Sequence, residues 1–425
     1  MKNRTRIAVV AGTMSLLVTL LAWPRAAEII STVKPEDVGL SSERLTRINE
    51  MMQRRIAATE ITGGVTLVAR KGRIAHFEAH GVMDLESRKP MTRDAAFRIA
   101  SMTKPVTGVA VMMLLEEGKL RLTDPVSKFI PVFKDMKVAV ALQNQGPSPV
   151  AGEEAAAPRF YTVPADREIT IRDLLTHTSG LVSGPMSASE ERKAPRKPTE
   201  TLADYIPRLA VTPLEFQPGT RWSYSPQAGF DTLGRIVEVV SGQSFDRFLR
   251  SRVFDPLGMQ DISFSVTDAL APRMPTVYEI SPKGMQKSTT PNRMSSQVYF
   301  AGAGGLITTA GEYVKFGQML LNGGELNGKR LLSPRTVELM ASVHIPDTLP
   351  GRLVGEGYGL RVRVVNHHVA GNSRLSDGSF GWSGAYGTHF WVDPKEEIVA
   401  VLMIQTPVRD MRPEFENAVM QAIVN

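Results

Sequence analysis

Ser101 and Lys104 stand three residues apart in "FRIASMTKPVTGVAVMMLLEEGKL", Phe97 to Leu120, and the pair has the makings of an acyl-transfer site. A serine hydroxyl is a weak nucleophile until a base takes its proton. A lysine can be that base only when burial or neighbouring cations let it be neutral. The spacing predicts that both side chains share one face at the N-terminus of a helix running through "VTGVAVMMLLEEG". Free N–H groups and the positive helix end there favour developing negative charge. Pro105 suits a first turn, whose N–H groups have no intrahelical partner, although it biases Lys104 away from helical geometry. The tetrapeptide alone is weak, since "STVK", Ser31 to Lys34, matches it with no helix behind it. Taken alone, Ser101 reads more readily as a helix cap and Lys104 as a solvated side chain.

A third group strengthens the case. In "FQPGTRWSYSPQAGFDTLGRIVEVV", Pro218, Gly219 and Thr220 form a turn and Tyr224 falls on a loop just before a helix. A phenol coupled to a lysine ammonium can share its proton, acting as base toward the serine and as acid toward a leaving group. In isolation Tyr224 is an ordinary half-buried packing residue.

These elements, in this order, resemble the serine β-lactamase-like superfamily, specifically its class C β-lactamase branch and the family VIII carboxylesterases. "SMTK" and "YSP" are joined by "ITIRDLLTHTSGL" (169–181), "AGAGGLITTAGEYVKFGQMLLNGG" (301–324) and "GWSGAYGTHFWVDP" (381–394). Together they cover most of the chain from about Val38 onward. The resemblance implies Ser101 as the acylated nucleophile, Lys104 as its activating partner and Tyr224 as the family's loop tyrosine. It also implies that the N–H groups of Ser101 and Ala385 form an oxyanion hole, and that no cofactor is needed. Where β-lactamases of this branch carry K-T-G, this chain has Trp382, Ser383 and Gly384, similar to the W-G-G type motif of the esterases. Pro226 stands where the lactamase pattern has Asn. Both departures remove polar groups that would bind a charged amide substrate and favour neutral, apolar acyl esters, unless Arg221 or another cation substitutes for the missing lysine.

Other candidates are weaker. His177 with Asp173 suggests a triad, but the segment resembles a structural turn of the family and is expected to be a satisfied hydrogen-bonding site. No G-x-S-x-G elbow is present. His367 and His368 are adjacent and diverge if they lie in a strand; with no H-E-x-x-H and no cysteine set, a metal site is not expected. The Gly302 to Gly305 cluster lacks the Lys-Ser/Thr of a phosphate loop and reads as tight backbone packing.

The elements that must hold these residues come from both ends of the chain. "SSERLTRINEMMQRRIAA" reads as an amphipathic helix capped by Ser41 or Ser42, with Leu45, Ile48, Met51 and Met52 on its apolar face. "GVTLVARKGRIAHFEAHG" is a hairpin turning at Lys71 and Gly72, and "THFWVDPKEEIVAVLMIQT" is another turning after Asp393 and Pro394. "RPEFENAVMQAIVN" is a closing helix. The expected fold is α+β and, by the resemblance, β-lactamase-like: an antiparallel sheet assembled from both terminal segments, flanked by helices, with a mostly helical insertion. The expected units are 28–123 with 294–425, and 124–293. Within the latter, 142–168 is read as long and irregular.

The 425 residues are 42% hydrophobic and 22% charged, enough to bury a large core. Of the formal charge of +7, Lys2, Arg4, Arg6 and Arg25 contribute four, leaving +3 elsewhere, too little to argue for nucleic acid. "MKNRTR" followed by "IAVVAGTMSLLVTLLAW" has the pattern of a secretory signal over 1–27, with retention as an anchor the alternative. The expected location is periplasmic or secreted. Cysteine is absent, which excludes disulfides and thiol nucleophiles.

The expected function is hydrolysis of short-to-medium acyl esters through an acyl-enzyme, with a small-molecule ester, or a β-lactam, as substrate and no stable protein partner implied. The alternatives are a class C-type β-lactamase, a D-peptidase or an acyltransferase on the same site, and a noncatalytic ligand-binding sensor on this fold.

Overall fold

The computed structural model describes residues 32–142, 158–282, 284–289, 296–408 and 410–425; the leader-like segment 1–27 lies outside them. Two hairpins form the centre. Strands β1 (Gly63–Arg70) and β2 (Arg73–Gly81) join through Lys71 and Gly72, both at positive φ (51° and 73°) as a two-residue turn of this hand requires. Near the other end lie β3 (Glu356–Tyr358), β4 (Arg363–Val365), β5 (Phe380–Ser383), β6 (His389–Asp393) and β7 (Ile398–Ile404). The β6–β7 turn is held by Asp393 Oδ1, which accepts from the amides of Lys395 and Glu396 at 3.1 Å each.

These seven strands make one antiparallel sheet in the order β3-β4-β5-β6-β7-β1-β2. β1 lies on β7 with Gly64 opposite Ile404, so the two ends of the chain meet in mid-sheet, as the sequence pattern predicts. Both faces are covered, which explains the unbroken apolar run of β7. Helices α1 (Ser42–Ala57) and, near the other end, Met411–Met420 pack on one face, where Leu45, Ile48, Met51, Met52, Phe415 and Val419 meet Val68, Trp391, Ala400 and Leu402. Ser41 caps α1, accepting from the Arg44 amide.

The opposite face carries α2 (Thr103–Glu116) and Ala310–Leu321. Helix α2 is buried from Thr103 to Leu114 on every side, apolar except for Thr103, Lys104 and Thr107. With α3 (Ala228–Ser241), α4 (Ala310–Leu321) and α5 (Met411–Met420), it completes the helices that bear on the site.

The structure departs from the sequence reading in two places. The described part of 142–168 is not all irregular: Phe160–Pro164 pairs antiparallel with Lys137–Ala141. With Tyr278–Ser281 paired to Gly284–Lys287, it gives the middle region two short ribbons that few side chains announce, because half of each is exposed. His367 and His368 are in a turn, not a strand: β4 ends at Val365, and the amides of Asn366 and His367 bond to Gly355 O. Among the described residues no His, Asp and Glu cluster could hold a metal, and no helix is long and apolar enough to cross a membrane.

Candidate active site

The short strand Ala96–Arg98, paired with Ile307–Thr309, delivers the chain to Ala100, whose φ of 44° bends it sharply into the 3-10 turn Ala100–Met102 and then α2. Ser101 sits on that bend. Tyr313 Oη donates to Met102 O at 2.7 Å, Thr107 Oγ1 donates to Gly302 O at 2.7 Å, and the Leu306 amide donates to Thr103 Oγ1 at 3.1 Å, so the helix start is tied to the segment from 302 to 313.

One turn on, Lys104 is completely buried. Its Nζ lies 2.9 Å from Ser101 Oγ, 2.9 Å from Tyr224 Oη, and 2.7 Å from each of the carbonyls of Pro226 and Ala303. Ser101 Oγ and Tyr224 Oη are themselves 2.6 Å apart. The three residues singled out from sequence thus touch one another, and neither the reading of Lys104 as a solvated side chain nor that of Tyr224 as a packing residue describes them. Carbonyls only accept, so a neutral amine that directs both hydrogens at Pro226 O and Ala303 O turns its lone pair toward the two hydroxyls. Pro226 lacks the lactamase Asn side chain, yet its backbone fixes the lysine.

Burial, reinforced by the Arg361 cation, brings the Lys104 amine down to about 8 against the pull of Tyr224. Burial pushes the Tyr224 phenol up, but Lys104 and Arg361 outweigh it and bring the phenol down to about 8. The two groups can therefore exchange a proton at little cost near neutral pH. Behind them, the buried Asp231 accepts from the Ala303 amide (2.9 Å) and from Tyr299 Oη (2.8 Å), fixing the carbonyl that holds Lys104. Gly302 is required by close approach: a Cβ there would collide with Phe230 O, which is the backbone packing expected of the glycine cluster.

On the other side of Ser101 lies the end of β5. Gly384 abuts Ile99 O and Thr388, and Thr388 Oγ1 donates to Ile99 O at 3.2 Å, which clamps the strand end to the residues just before the nucleophile. Ser101, Ala385, Gly384, Ser383 and Trp382 consequently line one cleft of about 380 Å³, walled also by Trp222, Tyr358 and Leu353. Trp222 stacks on Tyr358 with ring centres 4.3 Å apart. Glu356, Arg363 and Arg412 close its far end, where Arg363 is already paired with Glu356 and Glu416. A second recess of about 410 Å³ opens across Tyr224, lined by Val182, Tyr205, Pro226 and Asp231 among others.

Sequence reasoning missed Arg361. It is buried, with its guanidinium 3.9 Å from the Trp382 ring centre and 4.5 Å from that of Phe230. Its φ is 85°, and its amide bonds back to Gly359 O. No carboxylate pairs with it among the described residues, and its Nε and Nη2 have no hydrogen-bond partner. Arg221, suggested as a replacement cation, is exposed and does not line the cleft. Arg361 also settles His177. That imidazole stands between two donors, Arg361 Nη1 at 2.6 Å and the Ser225 amide at 3.2 Å, only one of which a neutral ring can accept. Asp173 bonds instead to Arg167, Thr170 and Thr178, so His177 and Asp173 form no triad. Ala100, His177, Val182 and Arg361, all non-glycine residues at positive φ, lie around the site, each held there by its surroundings against local backbone strain.

Residues 48–424 match the family model described as Beta-lactamase. Protein Rv1367c of Mycobacterium tuberculosis is 35% identical over 81% of this chain and 86% of its own length. Esterase EstB of Burkholderia gladioli is 27% identical, covering 89% of this chain and 94% of that protein. Among solved structures, EstCE1, described as a hydrolase with promiscuous acyltransferase activity, superposes with a TM-score of 0.73 at 26% identity over 90% of this chain and 99% of its own. With the α+β architecture and the matched span together, the chain belongs to the β-lactamase family, within the serine β-lactamase-like superfamily of hydrolases.

Proposed function

We propose that this protein is a serine carboxylesterase that works through an acyl-enzyme on short-to-medium acyl esters. The observation that carries the reading is the Lys104 amine, held by two carbonyls and in contact with both the Ser101 and Tyr224 hydroxyls. In this mechanism Ser101 Oγ attacks the ester carbonyl as its proton passes to the Lys104–Tyr224 pair. The Ser101 and Ala385 amides receive the oxyanion, and Tyr224 returns the proton to the departing alcohol. Water, activated by the same pair, then releases the acid and restores the serine. The acyl chain lies along the aromatic cleft of Trp222, Tyr358 and Trp382, and the alcohol leaves through the recess across Tyr224.

The cleft supports esters over charged β-lactams. Trp382 occupies the place of the K-T-G lysine, Arg361 is covered by that ring, and Arg363 is neutralised by two glutamates. In this proposal residues 28–123 and 294–425 act as one unit, bearing the nucleophile and β5, while 124–293 brings Tyr224 to it. The leader-like N-terminus supports a location outside the cytoplasm for the reaction. A second reading, acyl transfer to an alcohol in place of water, is favoured by the separate recess beside Tyr224, where an acceptor can sit.

The test is a burst assay with p-nitrophenyl butyrate and, separately, a chromogenic cephalosporin, using Ser101→Ala as control. Ser101-dependent ester turnover with little lactam opening is the expected result. Lactam opening in excess of ester turnover overturns the substrate assignment, and silence on both overturns the enzyme.

A further inference from the structure

Ser383 lines the cleft as a half-buried residue, and behind it runs a chain of polar side chains that the Ser101 mechanism does not use. Ser383 Oγ is 2.9 Å from His389 Nδ1, its cross-strand neighbour on β6. His389 Nε2 is 3.1 Å from Glu416 Oε1 on α5, and Arg363 Nη2 donates to the same oxygen at 2.7 Å. His389 and Glu416 are buried, and Trp391 stacks on the imidazole with ring centres 5.6 Å apart.

The direction of each hydrogen bond follows from what each group can do. Burial opposes ionisation of Glu416, but the His389 hydrogen bond and the Arg363 cation prevail and hold the carboxyl down at about 2. An ionised carboxylate only accepts, so the hydrogen of the neutral imidazole is on Nε2 and Nδ1 presents a lone pair. Burial keeps that imidazole neutral, its pKa lying below the ordinary value. Ser383 must then donate its one hydrogen to Nδ1. What its oxygen still offers the cleft is lone pairs.

We infer that Ser383 is a specificity-determining hydrogen-bond acceptor, fixed in that polarity by His389, Glu416 and Arg363, and that it selects acyl groups carrying an O–H or N–H donor near the ester carbonyl. The inference deepens the esterase reading and rests on it. An acceptor at this point disfavours a substrate carboxylate, and it gives a hydroxyacyl or aminoacyl ester a partner that a plain alkanoyl ester does not use. Ser383 stands two residues before Ala385 and lines the same cleft as Ser101, so the donor it meets belongs to the group bound beside the nucleophile.

The test compares kcat/KM for p-nitrophenyl 3-hydroxybutyrate with that for p-nitrophenyl butyrate. Relative to the native enzyme, Ser383→Ala is expected to lower the hydroxybutyrate-to-butyrate ratio about tenfold, the value of one net hydrogen bond. Ser383→Thr, which keeps the hydroxyl, restores it. A ratio unchanged in Ser383→Ala while turnover remains Ser101-dependent overturns this inference and leaves the esterase reading standing. Absence of native ester turnover overturns that reading instead. The relay is then judged by nitrogen-15 NMR of labelled histidine, with His389→Gln for assignment: a hydrogen on Nε2 is expected, and a hydrogen on Nδ1 overturns the proposal without reference to activity.

Discussion

Arg361 stacks its guanidinium 3.9 Å from the ring centre of Trp382, and the indole stands in for the counter-ion that a buried cation ordinarily has. Burial pulls even this guanidinium down to about 9, yet it stays charged in the working range and bears on both Lys104 and Tyr224. Arg361→Met should therefore have two opposite effects. Removing the charge lets the Lys104 and Tyr224 pKa values rise, so ester turnover at pH 7 falls and the acid limb of the pH profile moves to higher pH. Removing an unpaired buried cation relieves its desolvation, so the variant gains roughly 1 kcal/mol or more of stability. Thermal melts beside pH profiles check both; a variant that is less stable, or one with an unmoved limb, contradicts this role.

The Lys104–Tyr224 pair predicts the native profile itself. Both groups titrate near pH 8, and the nucleophile needs the pair to have lost one proton. The value of kcat/KM for an uncharged ester should rise about tenfold per pH unit below this value and level off above it. A limb centred near pH 6.5 would point to a histidine and against Lys104.

Gly384 predicts a steric knock-out. A Cβ at this position collides with Ile99 O and Thr388 Oγ1, so Gly384→Ala must push β5 away from the residues that lead into Ser101. Loss of one oxyanion donor costs about a hundredfold or more in kcat. Turnover should fall by that order while the protein remains folded by circular dichroism; full activity would remove Ala385 from the mechanism.

On the α1 side of the sheet, His76 and His80 share the Thr66 hydroxyl at 2.8 and 2.9 Å, so it donates to one and accepts from the other. Burial pushes His76 down to about 3 and His80 to about 4. The unfolded chain binds protons near pH 6.5 that the fold refuses, so stability is full above pH 6.5 and falls as the pH drops toward 4. The slope is about 1.4 kcal/mol per pH unit for each histidine. Urea melts at pH 7.5 and 5 should show a smaller loss for His76→Gln/His80→Gln than for the native chain; equal losses would clear the pair of this role.

Much of this was legible in the sequence because it is carried by local signals. Lys71-Gly72 announces its turn, the α1 face is readable from four apolar positions, and Ser101, Lys104 and Tyr224 stand out once several motifs recur in order. Arg361 was not legible. "YGLRVRVV" looks like an alternating strand with an outward arginine, and only the reversed φ at 361 turns that side chain into the core. Gly108 of α2 leaves the room, since a Cβ there would approach Arg361 Cβ to 3.0 Å. The Ser383–His389–Glu416 chain was equally hidden, because cross-strand register and the docking of α5 create it. No spacing along the sequence does.

The position of β1 against β7, with Gly64 facing Ile404, also governs how the molecule is born. Contacts so distant along the chain form late, after slow loop closure. A partly folded chain can hold Ser101 and Lys104 on a formed helix while β5 and the Tyr224 loop are still unplaced. Regain of ester turnover during refolding should therefore lag the helical signal and report the moment the sheet closes.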